Sequence, residues 1–382
     1  MEAEAEVLGR VARAFERNFS AHGELGAAVS VWHGGREVLS LGEGWCERER
    51  VRRWTPETLV PVYSATKGPA AATLLWVLGE HGLDPDDLVA PVWPTFPVRG
   101  ATFGDLLAHR CGLAALDRSA SVYDHPGVVA AIEAQHTPNW ELGAGHGYHP
   151  RTWGFLLDEV VRRLTGEPLG RVWREAIGGP LDLDFWIGLP SSEHPRVARL
   201  YPGKADKSDL ASDFYRAFLS EGTLVRRAFS SPRGLQAVQE MNAAEAWAAG
   251  FPGFGGVGSA SALARFYQAA CGALGDKVFT PEVRRWMMTR RANGDDRIML
   301  TRTAFSAGMM MDPIDAAGAK QRKLFGKSDG AFGSPGAGGS HAFGDPQTGW
   351  SFAYVMNQME LSLLPGRKSL GMVEALEPVG EG

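Results

Sequence analysis

Strand-forming runs stand near both ends of this chain, and helical periodicities fill the stretch between them. G-A-A-V-S-V-W-H-G-G-R-E-V-L-S-L-G-E-G, residues 26–44, holds two β-rich runs around His33-Gly34-Gly35, the pattern of a hairpin. Strand character returns in the last third, at A-F-S-A-G-M-M-M (304–311) and at G-W-S-F-A-Y-V-M-N-Q-M (349–359), the latter apolar and aromatic enough for a buried strand. Strands at both ends with helices between predict one sheet interrupted by a helical insertion, an α+β chain. Residues 1–70 and 250–382 would then form the sheet-bearing part and 71–249 a mainly helical one.

The helical signals are of several kinds. M-E-A-E-A-E-V-L-G-R-V-A-R-A-F-E-R-N-F opens acidic and then puts Val7, Val11, Phe15 and Phe19 on one helical face. A-A-A-T-L-L-W-V-L-G-E-H-G-L (70–83) has helical spacing and closes on a glycine. Thr102 can cap a short helix to His109, with Asp105 three residues on in a variant of the capping box. R-T-W-G-F-L-L-D-E-V-V-R-R-L-T-G (151–166) has the cleanest period, with Trp153, Leu156, Leu157, Val160, Val161 and Leu164 inward. Residues 190–250 read as an irregular excursion.

Composition excludes several function classes. The 382 residues are 44% apolar, so a large core can be buried, and a net charge of -5 supplies no basic patch for nucleic acid. The N-terminal stretch lacks the basic start and unbroken apolar region of a signal peptide, and no run approaches the roughly 20 apolar residues of a membrane span. Cytoplasmic residence is the expectation, and nothing specifies an oligomeric state. Cys46, Cys111 and Cys271 are far apart and in no C-x-x-C spacing, which predicts buried thiols rather than a zinc site or disulfides. No histidine or acidic spacing suggests a metal, and no cofactor is expected.

The chemistry-bearing candidate is V-Y-S-A-T-K-G (62–68). On a helix, Ser64 and Lys67 share a face, so their side chains can meet. A serine in the first turn profits from the helix dipole if an oxyanion forms beside it, and a desolvated lysine of lowered pKa can take its proton. By spacing alone the pair is weak evidence, because two such common residues stand three apart by chance in most chains of this size, and the simpler reading is two polar residues opening an ordinary helix. With Val-Tyr before and Gly-Pro after, however, the segment resembles the S-x-x-K helix of the serine β-lactamase and penicillin-binding-protein superfamily, closest to class C β-lactamases and family VIII carboxylesterases.

That resemblance implies a β-lactamase/transpeptidase-like fold, an antiparallel sheet flanked by helices, with the site in the cleft beside the helical region. It also implies a tyrosine from a loop of that region. In W-E-L-G-A-G-H-G-Y-H-P-R-T-W-G (140–154) Tyr148 matches, and it can share the serine's proton if positive charge lowers its pKa. The family's β-lactamases place an asparagine two residues on, where this chain has Pro150. The third motif resembles F-G-S-P-G-A-G-G-S-H-A-F-G-D-P (332–346), with Ser334-Pro335-Gly336 in the K-T-G position. The cation is missing there, which implies poorer binding of acidic β-lactams. By carry-over, the N–H groups of Ser64 and Ala337 form the oxyanion hole, and Ser334 and Gly336 line the substrate site. His149 and His341, which flank motif residues, and Tyr123 are further candidates for its wall; Trp153, Trp186 and Trp350 are aromatic residues for which packing is the simpler role.

Two patterns are set aside. G-F-G-G-V-G (253–258) matches a dinucleotide fingerprint but follows no strand, and reads better as the loop before a helix capped by Ser259 or Ser261. No G-x-S-x-G elbow occurs, so an α/β-hydrolase triad is disfavoured, and His109 reads as a core histidine. The resemblance implies a serine hydrolase that cleaves small carboxylic esters through an acyl-enzyme. An acyltransferase or amide-bond enzyme is the alternative, followed by a β-lactamase or D-amino-acid peptidase, and, from another class, a non-catalytic binding protein.

Overall fold

Two glycines set the first hairpin. The computed structural model describes residues 2–204 and 210–377, and in it β1 (Gly26–His33) turns into β2 (Arg36–Gly44) through Gly34 and Gly35 at φ +57° and +77°. Both central residues of the turn are left-handed, the geometry whose twist matches that of the flanking strands. β1 is buried along almost its whole length because it is an inner strand. It pairs with β2 on one side and with β11 (Trp350–Met356) on the other, Ala27 opposite Met356.

The sheet continues from β11 through β10 (His341–Gly344), β9 (Phe332–Pro335), β8 (Met310–Met311) and β7 (Arg302–Phe305) to β6 (Ala292–Asp295), antiparallel throughout. The run at 304–311, expected as one strand, is two: Ser306 N–H bonds Met309 O across a turn that contains Gly308 at φ +89°. A Cβ on Gly308 would lie 2.3 Å from the Ala71 Cβ, so the turn is packed directly on the next layer.

Alternation along β11 assigns the covering helices to faces. Ser351 Oγ donates to Ala264 O of α10 (Ala260–Ala270) at 2.7 Å. Tyr354, of opposite parity, donates to Glu24, just after α1 (Glu2–Ala21), on the face where α1 packs with α12 (Arg367–Leu376). On α1, Val11 and Phe15 are fully buried while Val7 and Phe19 are half-buried.

α2 (Lys67–Glu80) is apolar nearly all round, which suits a helix with neighbours on every side. It packs against β9, α5 (Thr152–Thr165), α6 (Leu169–Trp173) and α11 (Pro281–Met288). α5 begins and ends where its period predicts, closed by Gly166 at φ +79°, although Leu164 is only half-buried. α3 (Phe103–Leu107) carries the full capping box between Thr102 and Asp105, and α4 (His125–Glu133) packs on α5. The 190–250 excursion, whose residues 205–209 lie outside the described residues, is more regular than expected: it contains α7 (Asp213–Leu219), α8 (Leu224–Ser230) and α9 (Ala244–Ala249). A small sheet of β3 (Val60–Pro61), β5 (Val257–Gly258) and β4 (Phe185–Trp186) ties the segment before Ser64 to two distant loops.

Candidate active site

Ser64 lies in a single 3-10 turn, Tyr63–Thr66, that runs into α2 at Lys67. Tyr63 enters it at φ +48°, a conformation a bulky residue holds only under constraint. The constraints are visible. Thr66 Oγ1 donates to Tyr63 O at 2.5 Å and accepts from Gly256 N at 2.8 Å, and Val62 N donates to Gly256 O at 3.0 Å. On the other side Ser334 Oγ donates to Ser64 O at 3.0 Å. A Cβ on Gly336 would lie 2.1 Å from Val62 O, so only glycine lets β9's exit approach the turn this closely.

Lys67 Nζ is 3.4 Å from Ser64 Oγ and donates to Gly253 O at 2.6 Å and Pro150 O at 3.2 Å. Its side chain is buried, with the rings of Tyr148 and Trp153 at 4.8 and 5.6 Å from Nζ. Burial, reinforced by the charge of Arg151, brings its pKa down to about 7. Two features of the sequence thus acquire a function in the fold. The carbonyl of Pro150, in the asparagine position, receives Lys67, as does that of Gly253 from the glycine run 253–258. Gly154 on α5 allows this, because a Cβ there would lie 2.3 Å from Gly253 N.

Tyr148 reaches Ser64 with its hydroxyl, and its backbone N–H donates to Asp296 at 2.9 Å. Asp296 is buried and also accepts from Ile298 N, Met299 N and Thr303 Oγ1, so one carboxylate fastens the tyrosine loop to the β6–β7 connection. His109, at φ +61°, packs its ring 4.9 Å from that of Tyr148 and accepts from His149 N. The expected lowering of the tyrosine pKa is not seen. Burial outweighs the Ser64 hydrogen bond and holds the phenol protonated far above neutrality.

Ser64, Tyr148 and Ala337 face one cavity of about 160 Å³, small beside the several hundred typical of drug-sized sites. Pro335 follows the same side of β9 as Ala337, while Ser334 and Gly336 point to the turn behind Ser64. Ser334 and Gly336 therefore support the Ser64 turn rather than line the cavity. His149 is buried outside it, Nδ1 on Gly147 O and Nε2 accepting from Leu113 N. His341 on β10 is buried against Ser369 of α12 and Phe325, behind the sheet. Tyr123 is 42% exposed and touches Phe251, which stacks on the wall residue Phe254. Trp153 is core, and Trp350 stacks on His33.

Sequence reading missed most of the wall. Phe218 and Phe229 come from α7 and α8, Met299 from the β6–β7 connection, Met310 from β8, and Arg151, Leu235 and Gln236 from α5's entrance and the loop it contacts. Ser259, not Ser261, caps α10, its Oγ accepting from Ala262 N. Cys46 and Cys111 are buried and Cys271 partly so. Among the described residues no group of histidine, cysteine or acidic side chains is placed to hold a metal, and no helix is long and apolar enough to cross a membrane.

A protein-family model described as Beta-lactamase matches residues 12–370. The chain belongs to the beta-lactamase family. This family member is 31% identical over 363 residues to Esterase/beta-lactamase LipL of Mycobacterium tuberculosis, covering 91% of the chain and 81% of the relative. Among solved structures it resembles a family VIII carboxylesterase (TM-score 0.83, 29% identity, 97% and 96% of the two chains). It also resembles a penicillin-binding-protein homologue from Caulobacter crescentus (TM-score 0.82, 33% identity, 97% and 96%). As a beta-lactamase-family protein it is a hydrolase with the β-lactamase/transpeptidase-like fold.

Proposed function

We propose that the chain is a carboxylesterase in which Ser64 is acylated. The observation that carries this reading is the lodging of Lys67: buried, with a pKa near 7, and within reach of Ser64 Oγ. A neutral amine has two N–H bonds. With those directed to Gly253 O and Pro150 O, its lone pair is left for Ser64 Oγ. Ser64 Oγ then attacks the ester carbonyl as its proton passes to Lys67, and the N–H groups of Ser64 and Ala337 receive the oxyanion. Tyr148, protonated, donates to the serine or leaving-group oxygen; the alcohol departs with the proton, and water releases the acid by the reverse path. The names of LipL and of the family VIII carboxylesterase support an ester as substrate. Pro150 and the inward-turned Ser334 weigh against a β-lactam.

The test is hydrolysis of short-chain chromogenic esters by wild type and Ser64→Ala, beside labelling with a fluorophosphonate. A loss of at least about a thousandfold in Ser64→Ala, with the adduct mapped to Ser64, is expected. Undiminished hydrolysis by Ser64→Ala would refute the assignment.

A further inference from the structure

The reaction cavity contains a buried cation without a partner acid. Arg151 is 7% exposed, yet its side chain lines the cavity with Ser64 and Tyr148. Its Nε donates to Pro232 O at 3.0 Å, Nη1 to Leu235 O at 3.3 Å and Nη2 to Gly234 O. All three acceptors are neutral, and among the described residues Arg151 forms no ion pair with a carboxylate. Glu240, the acid whose field acts on it, is exposed, and its Oε2 accepts from Ala237 N at 2.7 Å. A guanidinium has five N–H donors, so three bonds leave two. Burial draws its pKa down to about 10, which leaves it charged at neutral pH.

Two polar groups accompany it. The Tyr63 phenol lines the same cavity, has no hydrogen-bonded partner among the described residues, and feels the Arg151 charge. Gln236 is at the rim, with its Nε2 donating to Gly234 O at 3.2 Å and its Oε1 accepting no hydrogen bond among the described residues. Apart from Ser64 and Tyr148, the remaining lining, including Phe218, Phe229, Phe254, Met299 and Leu363, is apolar. One corner of an otherwise apolar cavity therefore holds a fixed positive charge with donors to spare. A buried charge in that state is stabilised most by an anion brought in with the ligand. The cation absent from Ser334 on β9 is thus matched by one on a different wall.

We propose that the preferred ester carries a carboxylate, received by Arg151 with Tyr63 beside it: a hemiester of a dicarboxylic acid, or an ester of a hydroxy acid. This rests on the esterase reading of Ser64.

The experiment measures kcat/KM of the full chain on two pairs matched in carbon count. Monomethyl glutarate against methyl pentanoate places the carboxylate on the acyl side; 3-(butanoyloxy)propanoate against propyl butanoate places it on the alcohol side. In at least one pair the anionic ester is expected to be favoured at least about tenfold, and which pair shows it assigns the side. Arg151→Met is expected to bring that ratio to about one or below, and Arg151→Lys to retain part of it; a ratio is read because the variant also loosens the 232–235 loop. Independently of any variant, free glutarate is expected to inhibit neutral-ester hydrolysis by wild type competitively, and 1,5-pentanediol not to. Equal or better turnover of the neutral ester in both pairs would overturn the proposal while leaving the esterase reading intact. No turnover of any of the four esters and no fluorophosphonate adduct on Ser64 would overturn both.

Discussion

The lowered pKa of Lys67 makes the pH dependence of ester hydrolysis a direct test of how the site is built. A lysine at the ordinary 10.5 would be neutral in roughly 0.03% of molecules at pH 7, whereas one at about 7 is neutral in about half. Desolvation thus raises the population able to take the Ser64 proton by roughly a thousandfold. In the proposed mechanism the neutral amine is the working form, so kcat/KM is expected to plateau above pH 8 and to fall about tenfold per pH unit below 7, reaching roughly 3% of the plateau at pH 5.5. No histidine near Lys67 mimics this limb: burial holds His149 at about 3 and His109 also well below its ordinary value, so both stay neutral throughout. The assay is kcat/KM for a neutral short-chain ester from pH 5 to 9 at constant ionic strength, in the stability range of the fold. A profile flat from pH 8 to 5.5 would refute the assignment of Lys67 as base.

Three further outcomes follow from the same geometry. The unfolded chain binds more protons at Lys67 than the native one between pH 7 and 10.5, so native stability is lowest below 7 and rises with pH through that window; Lys67→Met, which removes a penalty of roughly 5 kcal/mol on the ammonium, is expected to be inactive yet to melt higher than wild type at pH 6, by a margin that narrows toward pH 10. Gly336→Ala would drive a Cβ to 2.1 Å from Val62 O and displace the Ala337 N–H, with an expected fall of about a hundredfold in kcat and a lowered Tm; wild-type kinetics would rule out that role for the close approach. Asp296→Ala leaves the N–H groups of Tyr148, Ile298 and Met299 without their acceptor and is expected to cost about 2–5 kcal/mol by denaturant unfolding, together with most of the activity.

What the sequence made legible was local. Ser64 and Lys67 meet because of a helical spacing, the α3 capping box is three residues wide, and the β1–β2 turn needs two glycines in a row. Tyr148 required the resemblance, since nothing in G-H-G-Y-H-P says that a buried aspartate 148 residues away will hold its backbone. Adjacency to a motif misled for His149 and His341. Neighbours in sequence point to opposite sides of an extended backbone, so residues flanking a site residue are turned away from it. Ser334 and Gly336 follow the same rule, two positions apart and both facing the turn while Pro335 and Ala337 face the cavity. Arg151 was hidden for another reason: an arginine at a helix entrance reads as solvent-facing, and only the return of the 232–235 loop buries it.

The pairing of β1 with β11 makes this hydrolase late to become active during its own synthesis. Val29 and its neighbours leave the ribosome early, but their partner strand is encoded more than 300 residues downstream, and the serine's turn waits likewise for Ser334 and Gly336. Contacts so remote close slowly and only after the intervening chain exists. Reactivity of Ser64 toward a covalent probe would therefore report completion of the whole polypeptide, and nascent chains stalled before residue 332 would remain silent.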